Sequence, residues 1–202
     1  PQKHAAHAMS VRMHVGEEQV MPPGWTYNPS SWGERLWLIL VALLGGILSG
    51  YLALYQWSLL PSVWEPWFNS GSERVLHSEL SRLLPIPDAA LGTLAFVLDA
   101  VTGAIGGTDR WRTMPWMVVL FGLAVGPLGV VSVLLVISQA VWIQAWCTLC
   151  LLSAVISIIM VGPAMDEVLA SLQFLKRASG GRASVWRLLW KGERALACGI
   201  AE

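Results

Sequence analysis

The chain has 202 residues, of which 55% are hydrophobic and only 13% are charged, and its 13 basic and 13 acidic side chains give a net charge of zero. Soluble domains carry roughly a quarter charged residues because they need a polar surface, so this composition predicts that much of the surface faces lipid. The neutral balance lacks the basic footprint of a nucleic-acid-binding protein, and we expect no nucleic-acid partner.

The first 33 residues form a polar N-terminal tail without the apolar core of a signal peptide. Residues 36–57 then contain no charge and exceed the roughly 20 residues that a helix needs to cross a bilayer. This run predicts the first transmembrane helix. Residues 89–107 predict a shorter second crossing that contains one acid, Asp99. We expect Asp99 to face the bundle interior with a structural partner such as Thr102 or a backbone group.

Residues 114–165 contain no ionisable Asp, Glu, Lys, Arg or His, yet one continuous helix of that length would be far too long for a single crossing. Polar Ser138, Gln139 and Gln144 predict a tight hairpin, with a third crossing at about 115–138 and a fourth at about 142–163. The predicted fold is therefore an all-α membrane protein, a four-transmembrane-helix bundle over residues 34–164 with a long outward loop between helices 1 and 2. Residues 165–202 are predicted to be a cytoplasmic C-terminal tail with an amphipathic helix at 165–177.

The basic residues are unevenly distributed between the two sides of this topology. Eleven lie in the tails and the 108–113 turn, against two, Arg74 and Arg82, in the 58–88 loop. The positive-inside rule then places both termini in the cytoplasm and the start of the fourth helix on the outward side.

Cys147 and Cys150 lie in WCTLC near the start of this fourth helix. An i, i+3 spacing lets both sulfurs share one helix face, and a helix N-terminus stabilises the thiolate that disulfide exchange requires. Two alternatives remain open: the cysteines are small buried hydrophobic residues, or they bind a metal, for which only His77 lies on the same side. Asp88 is predicted on that side too, as a ligand-binding residue or as an N-terminal helix acid.

These residues resemble the vitamin K epoxide reductase family over about 34–163. The resemblance rests on the order of the four spans, on W-C-x-x-C at the start of the last, and on two shorter elements, V-[LF]-x-S and P-x-x-x-L-G. The residues of these two elements are Val75, Leu76 and Ser78, and Pro87, Leu91 and Gly92.

The resemblance implies a bundle that encloses a quinone, ubiquinone or menaquinone, with Cys150 reacting with the quinone and Cys147 exchanging disulfides with an incoming thiol. Family members carry two further shuttle cysteines in the outward loop, and Ser72 stands at the position of the second. Cys198 cannot replace them, because the charge count puts it on the cytoplasmic side.

Two functions follow as expectations. The first is a membrane thiol–disulfide oxidoreductase of the bacterial inner membrane that couples the Cys147–Cys150 disulfide to a quinone, with a thioredoxin-like or other thiol protein as donor. The second is a redox-inactive accessory or scaffold subunit of a larger respiratory or photosynthetic complex. The lipid bilayer is a partner in both, and neither requires a metal.

Overall fold

A computed structural model describes residues 21–79, 81, 85–179 and 184–193 of the chain. Every regular element in those residues is helical. A π-helical turn, Gln139–Ile143, directly follows Ser138. The helices in chain order are α1 (Trp32–Gln56), α2 (Gly71–Leu76), α3 (Asp88–Ala104), α4 (Arg110–Thr113), α5 (Pro115–Ser138), α6 (Thr148–Ser179) and α7 (Val185–Lys191).

Three of these segments are long and apolar enough to cross a bilayer: Trp32–Gln56, Pro115–Ile143 and Thr148–Ser179. They contain 25, 29 and 32 residues, and no more than 39% of the most apolar window of each is buried within the chain. So much outward-facing apolar surface has no counterpart in a water-soluble domain, and the protein is a membrane protein. The predicted first and third spans are confirmed as apolar helices.

α3, the predicted second crossing, ends earlier than the sequence indicated. Its 17 residues run from Asp88 to Ala104 and cover about 26 Å at 1.5 Å per residue. The guanidinium group of Arg35 satisfies carbonyls at this end, with Nε 3.0 Å from the Gly103 oxygen and Nη2 2.8 Å from the Ile105 oxygen. Arg35, which the charge count places with the tails, is fully buried.

The connection from α5 to α6 differs from the predicted hairpin. The helical path continues past Ser138 through the π-helical turn, and Gln144 then adopts a left-handed conformation with φ 50°. Trp142 belongs to the end of the segment Pro115–Ile143, so the prediction that the fourth crossing begins at about residue 142 was wrong. α6 begins at Thr148. The intervening residues 144–147 are not helical, and this sets the position of Cys147.

The described residues divide into two compact units, which we name for their contents. The disulfide unit takes those in 33–105 and 119–166, and the terminal unit takes those in 1–32, 106–118 and 167–202. The disulfide unit has two apolar clusters. One includes Leu38, Phe96, Phe121 and Met160, and the other surrounds Cys147.

The terminal unit is built around a buried ion pair. Arg110 and Glu167 are both inaccessible to solvent, and the Arg110 guanidinium donates to both Glu167 oxygens while the Ser30 hydroxyl donates to one. Arg110, which the charge count places in the 108–113 turn, is thus a second buried cation. The predicted helix at 165–177 is confirmed as helical and is the last part of α6.

Candidate active site at the start of α6

Cys147 and Cys150 form a disulfide at the start of α6, with their Cα atoms 5.2 Å apart. The Cys147 carbonyl accepts the first hydrogen bond of the helix from the Leu151 N–H at 3.0 Å, so Cys147 is the residue that caps α6. The Cys150 N–H lies 3.2 Å from the Cys147 sulfur. A sulfur that accepts this hydrogen bond at a helix N-terminus is held where negative charge is stabilised, which favours the thiolate of Cys147 after reduction.

Cys147 is completely buried, whereas Cys150 is half-buried. The Cys147 N–H donates to the Gln139 side-chain oxygen at 3.3 Å, so the π-helical turn holds the backbone of the cysteine. Its apolar neighbours come from the second cluster of the disulfide unit, which includes Leu52, Leu76 and Leu149. A reagent that attacks the Cys147 sulfur must therefore first displace part of this cover.

Glu65, in the segment between α1 and α2, connects α2 to the start of α6 through hydrogen bonds and so helps to fix this cover. Its carboxylate accepts hydrogen bonds from the Ser72 hydroxyl, the Thr148 hydroxyl and, at 3.1 Å, the Thr148 N–H. Ser72 and Thr148 are both buried. Burial of Glu65 opposes its ionisation, but the hydrogen bonds from Ser72, Thr148 and the Trp67 N–H outweigh burial and hold the pKa of Glu65 below its ordinary value. We call these three residues, Glu65, Ser72 and Thr148, the Glu65 clamp.

α2 also approaches the backbone beside the disulfide very closely. A Cβ atom at Gly71 would collide with the carbonyl oxygen of Trp146 and lie 3.1 Å from the Phe68 side chain. The Phe68 and Trp146 rings are 6.4 Å apart. Glycine at position 71 is therefore what allows α2 to rest on residues 146–148.

Cys150 packs against the same apolar cluster, and so do Leu48, Tyr51, Tyr55 and Ala89. Such surroundings fit a flat, largely apolar quinone ring. Asp88, the predicted ligand-binding residue, is half-buried at the start of α3. Its Oδ1 accepts from the Gln56 amide at 2.6 Å, the Ser81 hydroxyl at 2.9 Å and the Ala89 N–H at 2.9 Å. These contacts match the role of an N-terminal helix acid, and a ligand contact by Asp88 stays a prediction.

Asp99 is buried as predicted, with 2% of its surface exposed, but it lacks the predicted partner. Among the described residues neither of its carboxylate oxygens has a hydrogen-bond partner. The Thr102 hydroxyl donates to the main-chain oxygens of Leu98 and Asp99 and leaves the Asp99 carboxyl group unmatched. Asp99 is on the same helix as Phe96, whose cluster is separate from that of the cysteines.

The described part of the chain contains no group of three or more His, Cys, Asp or Glu residues placed to hold a metal ion. Cys198, and the histidines at positions 4, 7 and 14, lie outside the described residues.

Helices that suit a bilayer and a disulfide at the start of one of them define a membrane protein with a candidate thiol–disulfide centre. Residues 36–164 match the model of the vitamin K epoxide reductase family. The match covers well over half of the chain, and the protein belongs to this family. The matched region contains α2 to α5, both cysteines and all of α1 except its first four residues. No curated protein and no solved structure gave a match. Membership of this family indicates a membrane thiol oxidoreductase. Enzymes of the family work with quinones.

Both cysteines could be identified from the sequence, but the structural roles of Glu65, Gln139 and Thr148 could not. Hydrogen bonds of these three residues fix the backbone and the loop next to Cys147. Glu65 and Thr148 are 83 residues apart and no spacing pattern links them. The only signal for Glu65 in the sequence was that this acid lies between two tryptophans, Trp64 and Trp67.

Proposed function

We propose that this protein is a quinone-linked thiol–disulfide oxidoreductase in which the Cys147–Cys150 disulfide is the redox centre. The observation that carries the proposal is the disulfide itself, with the Cys147 sulfur at a helix N-terminus and within hydrogen-bond distance of the Cys150 N–H. This is where a protein stabilises a thiolate, the species that takes part in disulfide exchange. A disulfide that served packing alone would not need this placement.

The exchange balances as follows. A thiolate of the donor protein attacks the Cys147 sulfur, forming a mixed disulfide and releasing Cys150 as a thiolate that takes up a proton. The second donor thiol then attacks the mixed disulfide, so that the donor leaves oxidised and both cysteines are reduced. When the disulfide re-forms, two electrons and two protons are released, and a quinone, ubiquinone or menaquinone, bound next to Cys150 would be their acceptor.

We further propose four membrane crossings, with α3 as the second and the cysteines on the outward face of a bacterial inner membrane. α3 is short, but helices and bilayers adapt to a mismatch of a few ångströms at modest cost. The charge asymmetry supports cytoplasmic termini even when the buried basic residues are left out of the count. Of the eleven basic residues assigned to the inner side, Arg35 and Arg110 are buried, which leaves nine against the two of the outward loop.

The electrons cannot reach Cys147 through a cysteine at position 72, because Ser72 occupies the place where the family carries a loop cysteine. The Ser72 hydroxyl is engaged with Glu65 and offers no thiol chemistry. We infer that a thioredoxin-like protein, or another subunit that contributes thiols, reacts with Cys147 directly. Because Cys147 is fully covered, this donor has to open the contacts made by α2 and the Glu65 clamp.

Thiol trapping in native membranes tests the proposal, in a Cys198→Ser background so that only the pair reports. With quinone present we expect Cys147 and Cys150 to be protected from alkylation as a disulfide, and with quinone withheld we expect both to become alkylated. Labelling that is the same in both conditions rules out turnover.

A redox-inactive scaffold subunit is the second candidate, and Ser72 is the observation that favours it. A chain without shuttle thiols, with Cys147 closed off, has the features expected of a fold kept for assembly. A larger complex that assembles and works normally with Cys147→Ala and Cys150→Ala supports the scaffold, whereas loss of redox coupling with normal assembly supports the enzyme.

A further inference from the structure

α7, the short helix Val185–Lys191, lies beyond the region that matches the family and displays two large aromatic side chains to the outside. One side chain, Leu188, is fully buried against Leu175 of α6. Trp186 and Trp190 are 67% and 52% exposed. At 100° per residue the two tryptophans share the side of α7 opposite Leu188, so the helix is anchored by one face and presents an aromatic face outward.

Several contacts hold α7 beside the first residues of α5, all within the terminal unit. Trp190 stacks on Trp116 with ring centroids 5.6 Å apart. The Glu193 N–H donates to the Arg112 oxygen at 3.0 Å, and the Glu193 carboxylate lies 3.5 Å from the Arg112 guanidinium. Gly192, with φ 58°, closes the helix where a side chain would collide with the Thr113 carbonyl. α7 is thus fixed at the end of a helix long and apolar enough to span the membrane.

The remaining exposed face of α7 is basic. Arg187 and Lys191 are both exposed and are four residues apart, so they lie side by side next to the tryptophan pair. Indole rings sit at the boundary between lipid tails and headgroups, and lysine and arginine bind anionic headgroups at that depth. A protein partner would need a matching apolar pocket and acidic groups, whereas the length and apolar composition of Pro115–Ile143 by themselves predict a bilayer boundary near the start of α5.

We propose that α7 is an interfacial helix that binds the surface of an anionic phospholipid bilayer, with Trp186 and Trp190 at the level of the headgroups and Arg187 and Lys191 on the phosphates. This surface is separate from the cysteine site, and its function does not depend on whether the disulfide turns over. It would fix the position of the C-terminal region against one leaflet.

Hydrogen–deuterium exchange of the full-length protein in nanodiscs tests this inference. We compare discs of phosphatidylcholine with discs that also contain phosphatidylglycerol and follow the amides of residues 186–191. We expect slower exchange in the anionic discs by about five-fold or more, the factor for one cation near a charged surface. High salt should remove the difference, because these charges are screened.

Lys191→Ser should lower the difference by about the factor for one cation and leave the part that Arg187 contributes, whereas Lys176→Ser is the matched control. Lys176 is also an exposed lysine, but it lies on the last part of α6 and makes none of the α7 contacts. Unchanged exchange over 148–160 verifies that each variant is folded. Equal exchange of α7 in the two lipid compositions, or an equal effect of Lys176→Ser, overturns the inference. So does protection that appears only when other membrane proteins are present.

Discussion

The Glu65 clamp makes a quantitative prediction about access to Cys147. Glu65→Gln keeps the size of the side chain but removes its charge and replaces one acceptor oxygen by an amide donor, which cannot receive the Thr148 N–H. A buried charge-assisted hydrogen bond contributes about 1.5–3 kcal/mol, and the partial exposure of Glu65 lowers this range. Taking about 2 kcal/mol for the whole clamp, the population in which α2 has lifted off should rise about 30-fold.

The assay is alkylation of the reduced protein in membranes, in a Cys198→Ser background, with the modified cysteine identified by mass spectrometry. When a buried thiol reacts only through local opening, its rate follows the open population, so Cys147 should react about 30-fold faster in Glu65→Gln. Cys150 should change far less, because it is already half-buried rather than covered. Glu73→Gln is the matched control, since Glu73 is an exposed acid on α2 itself. The reasoning is refuted if Cys147 reacts equally fast in Glu65→Gln and wild type, or if Glu73→Gln accelerates it as much.

Four further outcomes follow from the same structure. The pKa of Glu65 is lowered, so its carboxylate stabilises the closed loop above its ordinary pKa of 4.5, and this contribution is lost as the pH falls through the lowered value. Hydrogen exchange of residues 61–79, corrected for intrinsic rates, should therefore quicken as the pH falls below 4.5. Gly71→Ala should cost about 1–3 kcal/mol through its collision with the carbonyl of residue 146, seen as faster exchange of α2 while exchange of α7 is unchanged. Glu167→Ala should lower the free energy of unfolding by about 3–5 kcal/mol, because it leaves the buried Arg110 guanidinium unpaired. Among these substitutions it should therefore lower the thermal midpoint in detergent the most. Asp99→Leu removes a buried carboxyl group that has no hydrogen-bond partner among the described residues, so it should raise the free energy of unfolding by about 1–3 kcal/mol and raise the thermal midpoint. A lower midpoint would show that Asp99 has a partner in the membrane.

The apolar helices could be predicted from the sequence because hydrophobic length is a direct consequence of bilayer thickness. The charge-free run at 36–57 and the helix at 115–138 correspond closely to α1 and α5. The position of the disulfide followed from the i, i+3 spacing of the cysteines near an apolar run. These features depend only on residues that are close in the chain.

The details around Cys147 could not be predicted, because they depend on contacts between distant residues and on irregular backbone. The left-handed Gln144 and the π-helical turn place the start of α6 at residue 148 rather than 142; the polar side chains at 138, 139 and 144 predict a break in the helix but not this backbone conformation. The burial of Arg35 and Arg110 could not be predicted either, because it depends on the carbonyls of Gly103 and Ile105 and on the carboxylate of Glu167. Asp99 shows the reverse, since its burial was predicted but its missing partner was not.

The central claim is that the Cys147–Cys150 pair passes electrons to a quinone, and a single-turnover measurement tests it directly. Purified Cys198→Ser protein is reduced, freed of reductant in nanodiscs and mixed with excess ubiquinone or menaquinone, and quinol and free thiols are both counted. The account predicts one quinol formed for each Cys147–Cys150 disulfide regained, with none in Cys150→Ser. A reduced pair that stays reduced with either quinone, or quinol that forms equally in Cys150→Ser, contradicts it.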